Sequence, residues 1–298
     1  MPAAAPETAP PCDVCGERTE PNTSPWTFRC TTCGLWQSVL EPSIDAAERT
    51  LGEEDRVSAL VHIRHHNFAR IFERVSQLMP LEHHSLLDVG CAYGWFLSAA
   101  AEHRMTGMGI EPDAYTASAA KARGLDVVTG YFPESVPPGK TFDVVVFNDV
   151  LEHIPDVGRM LAACQRVMTR RGLLVLSVPT SEGTLFRMAK ALAAAGFTGP
   201  WERLWQKSFP SPHRYYFNQS VLDRACATHG FSRVAAEGSM TIHPRGLWAR
   251  MRFDRRRSTL ANLVLYTGVL LLYPWYVLFA HPDTELLVYR YDSDARQT

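Results

Sequence analysis

The chain has no excess of charge of either sign. Thirty lysines and arginines offset 31 aspartates and glutamates among 298 residues, so the formal net charge is -1. A chain-wide field that attracts nucleic acid or acidic substrates is therefore excluded. The first residues, MPAAAPETAPP, lack the charged start and apolar run of a secretory signal, and we expect a reducing, cytoplasmic environment. The seven cysteines are then expected to be thiols or metal ligands.

Apolar periodicity indicates how the chain is organised. Residues 1–11 are rich in Pro and Ala, which predicts a disordered tail. From Ser85, apolar runs alternate with helical stretches, which predicts an α/β fold with a doubly wound parallel sheet. The predicted strands are 85–89, 106–110, 126–129, 142–147, 172–178, 231–237 and the closing segment TELLVYRYD. The other predicted elements are helices at 55–79 and 182–195, a loop at 197–217, and a helix capped by Asn218 that ends near Gly230.

The segment LLDVGCAYGWFL predicts a nucleotide-binding turn. It places Asp88, Gly90 and Gly94 between a strand and a helix, where glycines let a ligand approach the backbone and the helix offers free N–H groups. Glu111 ends the next strand and suits a ribose hydroxyl. A dinucleotide fingerprint is excluded, because Ala92 and Trp95 stand where it needs glycines. A tight turn without a ligand is the alternative.

These motifs resemble those of class I S-adenosylmethionine-dependent methyltransferases, over residues 55–239 plus 284–292. The resemblance implies a seven-stranded, Rossmann-like sheet and S-adenosylmethionine as cofactor. It implies that the glycine turn holds the methionine end of the cofactor, that Glu111 binds the ribose, and that Tyr131 or Phe132 flanks the adenine. The predicted cofactor-binding residues are Asp88, Gly90, Cys91, Ala92, Gly94, Glu111, Tyr131, Phe132 and Asn148.

The segment FDVVVFNDVLEHIPD carries the candidate chemistry. Its NDVLEHI string resembles ubiquinone-pathway and sugar or glycan O-methyltransferases and lacks the Asn-Pro-Pro-aromatic motif of enzymes that methylate base amino groups. A hydroxyl acceptor must lose a proton, and a positioned histidine can take it. His153 and His213 are the two candidates for this general base, with packing among aromatic side chains as the alternative for His213. Asp149 and Glu152 also match a helix capping box.

Two CxxC pairs predict a zinc ribbon over residues 12–40. Fourteen residues separate the pairs, and four thiolates leave zinc no open position, so the metal is expected to be structural. Disulfides are the alternative. Residues 12–36 hold two arginines against three acids, which argues against nucleic acid as a partner, and a similar module precedes sugar methyltransferase domains. The predicted metal ligands are Cys12, Cys15, Cys30 and Cys33.

Residues 245–282 are predicted to be a basic and hydrophobic insertion that associates with membranes. Arginines between 245 and 257 precede an uncharged stretch from 258 to 280 that is long enough to span a bilayer. Because the closing strand must return to the sheet, and Pro274 should end a helix of about fifteen residues, we expect a monotopic anchor instead. A helix pair buried on the protein or in a dimer is the alternative.

The sequence therefore predicts a zinc-ribbon methyltransferase, peripheral or monotopic on the cytoplasmic membrane face. Its acceptor is expected to be a hydroxyl of a glycan, lipid-linked or quinone-type molecule. A nucleic-acid or protein methyltransferase guided by the ribbon is one alternative, and a non-catalytic cofactor-binding module is another. His62 and His66 have metal-ligand spacing but no carboxylate between them, which favours a solvated or cofactor-covering helix face.

Overall fold

A computed structural model describes residues 8–42, 53–207, 209–242, 247–248 and 258–292. Residues 1–7 of the predicted tail and most of the arginine-rich segment lie outside the described residues, as does the His62 side chain. The strands are β1 (Thr19–Asn22), β2 (Ser24–Cys30), β3 (Trp36–Ser38), β4 (Ser85–Val89), β5 (Thr106–Glu111), β6 (Val127–Thr129), β7 (Phe142–Asn148), β8 (Met168–Pro179), β9 (Tyr215–Tyr216), β10 (Phe231–Ser239) and β11 (Thr284–Tyr291). The helices are α1 (Glu53–Ser76), α2 (Trp95–Glu102), α3 (Ala114–Ala122), α4 (Val157–Val167), α5 (Thr184–Ala194), α6 (Gly199–Leu204), α7 (Gln219–Ala227) and α8 (Thr259–Phe279).

Seven strands form the central sheet in the order β10-β11-β8-β7-β4-β5-β6. Neighbouring strands from β8 to β6 are parallel, and β11 is antiparallel to both β8 and β10. This arrangement confirms the predicted doubly wound, seven-stranded sheet, and the predicted closing strand is β11.

Strand β7 is apolar throughout because it is buried on both faces of the sheet. Residues 144–147 are fully buried, and alternate side chains enter different cores. Val145 and Phe147 pack with α4 and α7, whereas Val144 and Val146 pack with α1 and α2. Helices therefore cover both faces of the sheet, and the carboxyl ends of β4, β5 and β7 remain the place for a ligand.

The predicted loop at 197–217 was wrong in part, because it contains α6 and β9. Strand β9 joins a second sheet, in the order β1-β2-β3-β9, whose other strands belong to the cysteine-rich segment. The aromatic side chains of the loop drive this folding, since Trp201, Trp205 and Tyr216 are buried against Trp26 and Trp36. We call residues 12–40 the four-cysteine module and residues 209–217 the acceptor loop.

Two local predictions were wrong. Helix α8 is 21 residues long and includes Pro274, where it was predicted to end. The proline removes one backbone hydrogen bond, but the turns on either side of it stay helical. Asp149 and Glu152 form no capping box. Instead Leu151–His153 is a short 3-10 turn, and the carboxylate of Asp156 caps α4 by accepting a hydrogen bond from the Arg159 N–H at 2.9 Å.

Candidate active site

The glycine turn after β4 has no room for side chains. Gly90 and Gly94 have φ angles of 72° and 71°, in the left-handed region that favours glycine. A Cβ at Gly90 would lie 2.7 Å from a methyl of Val150, and one at Gly94 would lie 2.4 Å from a methyl of Leu125. The close contact with Val150 places the segment after β7 directly against the predicted cofactor turn.

Glu111 lies at the end of β5 with its carboxylate partly satisfied by backbone. Its two oxygens accept hydrogen bonds from the N–H groups of Ala92 and Asp113, each at 2.9 Å. Burial raises the pKa of Glu111, although these two N–H groups oppose the shift. A carboxylate has about four lone pairs, so Glu111 retains acceptor capacity for a ribose diol.

The remaining predicted cofactor residues surround the same edge. Asp88 is buried, and burial together with the charge of Glu111 raises its pKa to about 8. The side-chain oxygen of Asn148 is buried without a hydrogen-bond partner, which is the kind of orphaned group that a ligand satisfies. Tyr131 is 60% exposed, whereas Phe132 is buried edge-on against Phe147. Tyr131 is thus the freer of the two aromatic candidates.

The structure adds one residue that sequence reasoning missed. Arg64, on α1, places its guanidinium 5.1 Å from the centre of the Trp95 ring at the start of α2. Its charge also favours the ionised carboxylate of Asp149, so it lies between the cofactor turn and the acceptor side. No local motif marks it, because only the fold brings α1 to this edge.

His153 has one ring nitrogen engaged by the acceptor loop. Its Nδ1 lies 3.0 Å from the carbonyl oxygen of Pro212 and 3.2 Å from the Ser211 hydroxyl. The carbonyl can only accept, so Nδ1 carries the proton and Nε2 keeps the lone pair. Nε2 lies 4.0 Å from a carboxyl oxygen of Glu152. Burial lowers the pKa of His153, which favours the neutral, basic form.

His213 is enclosed. Its Nε2 lies 2.7 Å from the Gln206 side-chain nitrogen, and its Nδ1 lies 3.2 Å from the Tyr216 hydroxyl. The ring packs edge-on against His153 with centroids 4.8 Å apart. Burial and the neighbouring His153 lower the pKa of His213 well below its usual value. The structure thus brings both predicted histidines together, but only His153 has an unengaged basic nitrogen.

Glu152 is buried beside the two histidines. One of its carboxyl oxygens has no hydrogen-bond partner, and burial, together with the charge of Asp149, raises its pKa well above the usual value. Burial therefore favours the uncharged forms of both Glu152 and His153, whose side chains lie 4.0 Å apart. Such a pair can receive a proton without first releasing one to water.

The four predicted metal ligands converge at the base of the four-cysteine module. The sulfur of Cys12 lies 3.6 Å from that of Cys33, and the sulfur of Cys15 lies 3.5 Å from that of Cys30. All four sulfurs lie within 4.8 Å of one another. Zn–S bonds of about 2.3 Å place tetrahedral sulfurs roughly 3.8 Å apart, so the cluster has the size of a Cys₄ zinc site.

The strand order, the single antiparallel strand and the glycine turn with its buried acid define the fold of class I S-adenosylmethionine-dependent methyltransferases. A model of the methyltransferase domain family matches residues 62–236, more than half of the chain. The chain belongs to this family.

Similar proteins agree with this assignment. A ubiquinone biosynthesis O-methyltransferase of Rhodopseudomonas palustris (strain TIE-1) is 30% identical over 138 residues, which cover 44% of this chain and 54% of the relative. Another, from Rhizobium rhizogenes (strain K84 / ATCC BAA-868), is 26% identical over 187 residues, which cover 60% of this chain and 72% of that protein. The chain spans about half the length of the first of these relatives.

Solved structures share the fold at low identity. A cyclopropane synthase from Mycobacterium tuberculosis has a TM-score of 0.54 and 16% identity, covering 84% of this chain and 88% of that chain. Magnesium protoporphyrin IX methyltransferase from Synechocystis PCC 6803, solved with bound SAH, has a TM-score of 0.52 and 13% identity, covering 83% of this chain and 90% of that chain. These similarities concern the fold alone.

Proposed function

We propose that this chain transfers a methyl group from S-adenosylmethionine to a hydroxyl of a quinone-type, lipid-linked or glycan molecule at a membrane surface. The observation that carries the proposal is the geometry of His153: its Nδ1 faces the Pro212 carbonyl, which leaves Nε2 as the basic nitrogen, and the residue lies on a segment packed against the glycine turn. Val150 makes that contact with Gly90. A base and a cofactor turn at one sheet edge are what hydroxyl methylation needs.

The residues of the turn fit the cofactor. Gly90 and Gly94 keep side chains out of the turn, so a ligand can approach its backbone closely. Glu111 offers carboxylate oxygens to a ribose, and the buried side-chain oxygen of Asn148 has no hydrogen-bond partner in the described protein. Arg64 supplies a positive charge for the carboxylate of the methionine moiety. S-adenosylmethionine supplies an electrophilic methyl group on a sulfonium centre.

His153 is the base in this mechanism. When the acceptor oxygen takes the methyl group, the C–S bond would break to leave a neutral thioether, and the hydroxyl proton would pass to Nε2 of His153. Nδ1–H would remain on the Pro212 carbonyl. The imidazolium that would form is stabilised by the carboxyl oxygen of Glu152, which lies 4.0 Å from Nε2. His213 holds the His153 ring from the side and excludes water.

The acceptor class is inferred from two features. Several curated relatives are ubiquinone biosynthesis O-methyltransferases, which supports a quinone-type phenol. Helix α8 supports a lipid-soluble acceptor, because apolar side chains are exposed along its whole length, including Leu260, Leu271 and Leu278 at 71%, 73% and 73%. A helix that is apolar on every side is stable in lipid or inside protein, and only 6% of the window from Asn262 to Phe279 is buried against the described chain.

We further propose that α8 is a monotopic anchor on the cytoplasmic membrane face. Six arginines between residues 245 and 257 precede it, and each attracts anionic headgroups by about 1 kcal/mol. Asp283 ties the end of α8 to the catalytic fold, because its carboxylate accepts hydrogen bonds from the Tyr276 hydroxyl and, at 2.8 Å, from the N–H of Leu185 at the start of α5. The end of the proposed anchor is therefore linked by hydrogen bonds to the start of α5.

The four sulfurs fit a structural zinc ion, and we propose that Cys12, Cys15, Cys30 and Cys33 hold it. With four thiolates no position remains for substrate, so the metal takes no part in the reaction.

The acceptor class is tested by incubating purified protein with methyl-labelled S-adenosylmethionine and separate lipid, glycan, RNA and protein fractions. We expect label in the lipid or glycan fraction. Label confined to RNA or protein would support a macromolecular methyltransferase instead. Cofactor binding without label in any fraction would favour a non-catalytic module.

A further inference from the structure

The acceptor loop contributes strand β9 to the sheet of the four-cysteine module. β3 and β9 pair antiparallel, with Trp36 opposite Tyr216 and Gln37 opposite Tyr215. The pairing continues beyond the strands, because the Ser38 N–H donates to the Arg214 carbonyl at 2.8 Å. Because the loop forms the edge strand of this sheet, the four-cysteine module fixes its position.

Side chains of the module add two further bonds to the loop. The Ser38 hydroxyl donates to the carbonyl of His213 at 2.7 Å, and this contact is buried. Asp13, which stands between Cys12 and Cys15, accepts a hydrogen bond from the Tyr215 hydroxyl at 2.5 Å. The turn that carries two metal ligands therefore also carries the carboxylate that holds the loop.

The loop in turn fixes the groups around the proposed base. The Pro212 carbonyl accepts from Nδ1 of His153, and the Arg214 N–H donates to the backbone carbonyl of Glu152 at 2.7 Å. Pro212 precedes the residue whose carbonyl Ser38 holds. A shift of the loop by one ångström would remove the acceptor that keeps the proton on Nδ1.

We propose that the four-cysteine module is a positioning element of the active site: through Asp13 and Ser38 it holds the acceptor loop, and the loop sets the ring orientation and tautomer of His153. The inference rests on the proposed role of His153 as base. It gives the module a task other than recognition, which agrees with its lack of a basic surface. Asp13 and Ser38 touch no reacting atom and act through Tyr215, Pro212 and His153.

The test compares Asp13→Ala, Ser38→Ala and Tyr215→Phe with a control, Glu20→Ala. Glu20 is an exposed residue of β1, and its carboxylate pairs only with Arg18, at 3.6 Å, among the described contacts. Nitrogen-15 NMR of labelled histidine reads the tautomer of His153 in the full chain, assigned with His153→Gln. We expect the Nδ1–H form to dominate in wild type and Glu20→Ala and to lose that dominance in the three test variants. Turnover should fall at least about tenfold, while S-adenosylhomocysteine affinity stays within about twofold.

Two features make the outcome decisive. Tyr215→Phe lies outside the cysteine turn and nearly preserves volume, so it tests the contact even where Asp13→Ala loses metal. Combining Asp13→Ala with Tyr215→Phe should be no worse than the more severe single variant, because both remove one hydrogen bond.

Unchanged tautomer signals and turnover in folded Tyr215→Phe and Ser38→Ala protein would overturn the proposal. A tautomer change in protein that methylates nothing would support the positioning role while rejecting the proposed function.

Discussion

Nδ1 of His153 lies 3.0 Å from the carbonyl oxygen of Pro212, a pairing that leaves Nε2 as the basic nitrogen. The two histidines predicted from the sequence thereby acquire different roles. His153 presents a lone pair, whereas both ring nitrogens of His213 face neighbouring polar groups.

Replacing His153, the proposed base, should lower turnover and leave cofactor binding unchanged. We expect His153→Gln to lower kcat by at least about tenfold, since general base catalysis typically contributes 10²–10⁴-fold. S-adenosylhomocysteine affinity should remain within error. The matched control is His83→Gln, because His83 is exposed and lies before β4, far from His153 in the sequence. Full turnover in His153→Gln would exclude it as the base.

The pH profile should reflect the burial of His153. Because burial lowers its pKa, the neutral form persists below pH 6.5, and kcat should fall on acidification only below the usual histidine value of about 6.5. The measurement is kcat against pH at saturating cofactor. An acidic limb centred above 6.5 would contradict a desolvated, neutral base.

Glu111→Ala should weaken S-adenosylhomocysteine binding by ~1 to 3 kcal/mol, the size of a lost charge-assisted hydrogen bond. Isothermal titration calorimetry measures the change. Glu134→Ala is the control, because Glu134 is exposed and pairs with Arg159 on the surface. Equal affinity in Glu111→Ala and wild type would remove Glu111 from the ribose site.

Metal analysis should find one zinc ion per chain in protein purified without chelator. Cys12→Ser and Cys30→Ser should each lose it, since every ligand completes the same tetrahedron. Cys164→Ala, a buried thiol in the main core, should retain it. Wild-type protein without zinc would reject the metal site.

Deleting residues 258–280 should move the protein from the membrane to the soluble fraction, and high salt alone should not release the intact chain. Leu271→Asp with Leu278→Asp offers a smaller change on the same exposed helix. An intact chain that stays soluble without detergent and ignores anionic liposomes would contradict the anchor.

The sequence predicts those features that depend on neighbours along the chain. The apolar run FDVVVF predicts β7, and the turn around Gly90 predicts a ligand, because both patterns are local. Arg64 and β9 escaped prediction, because their roles depend on distant contacts. Ser38 and His213, for example, are 175 positions apart. Pro274 made the helix prediction too short. The low helix propensity of proline predicts a break, but a long and otherwise regular helix tolerates one proline.

The most direct test of the account supplies S-adenosylmethionine with a carbon-13 methyl group, together with a lipid extract, to wild type and His153→Gln. Carbon-13 NMR of the extracted product identifies the atom that receives the methyl group. We predict a methoxy carbon on a lipid-soluble product with wild type, and at least about tenfold less of it with His153→Gln. A methyl carbon bonded to nitrogen or carbon, or equal product from both proteins, would contradict base-assisted O-methylation.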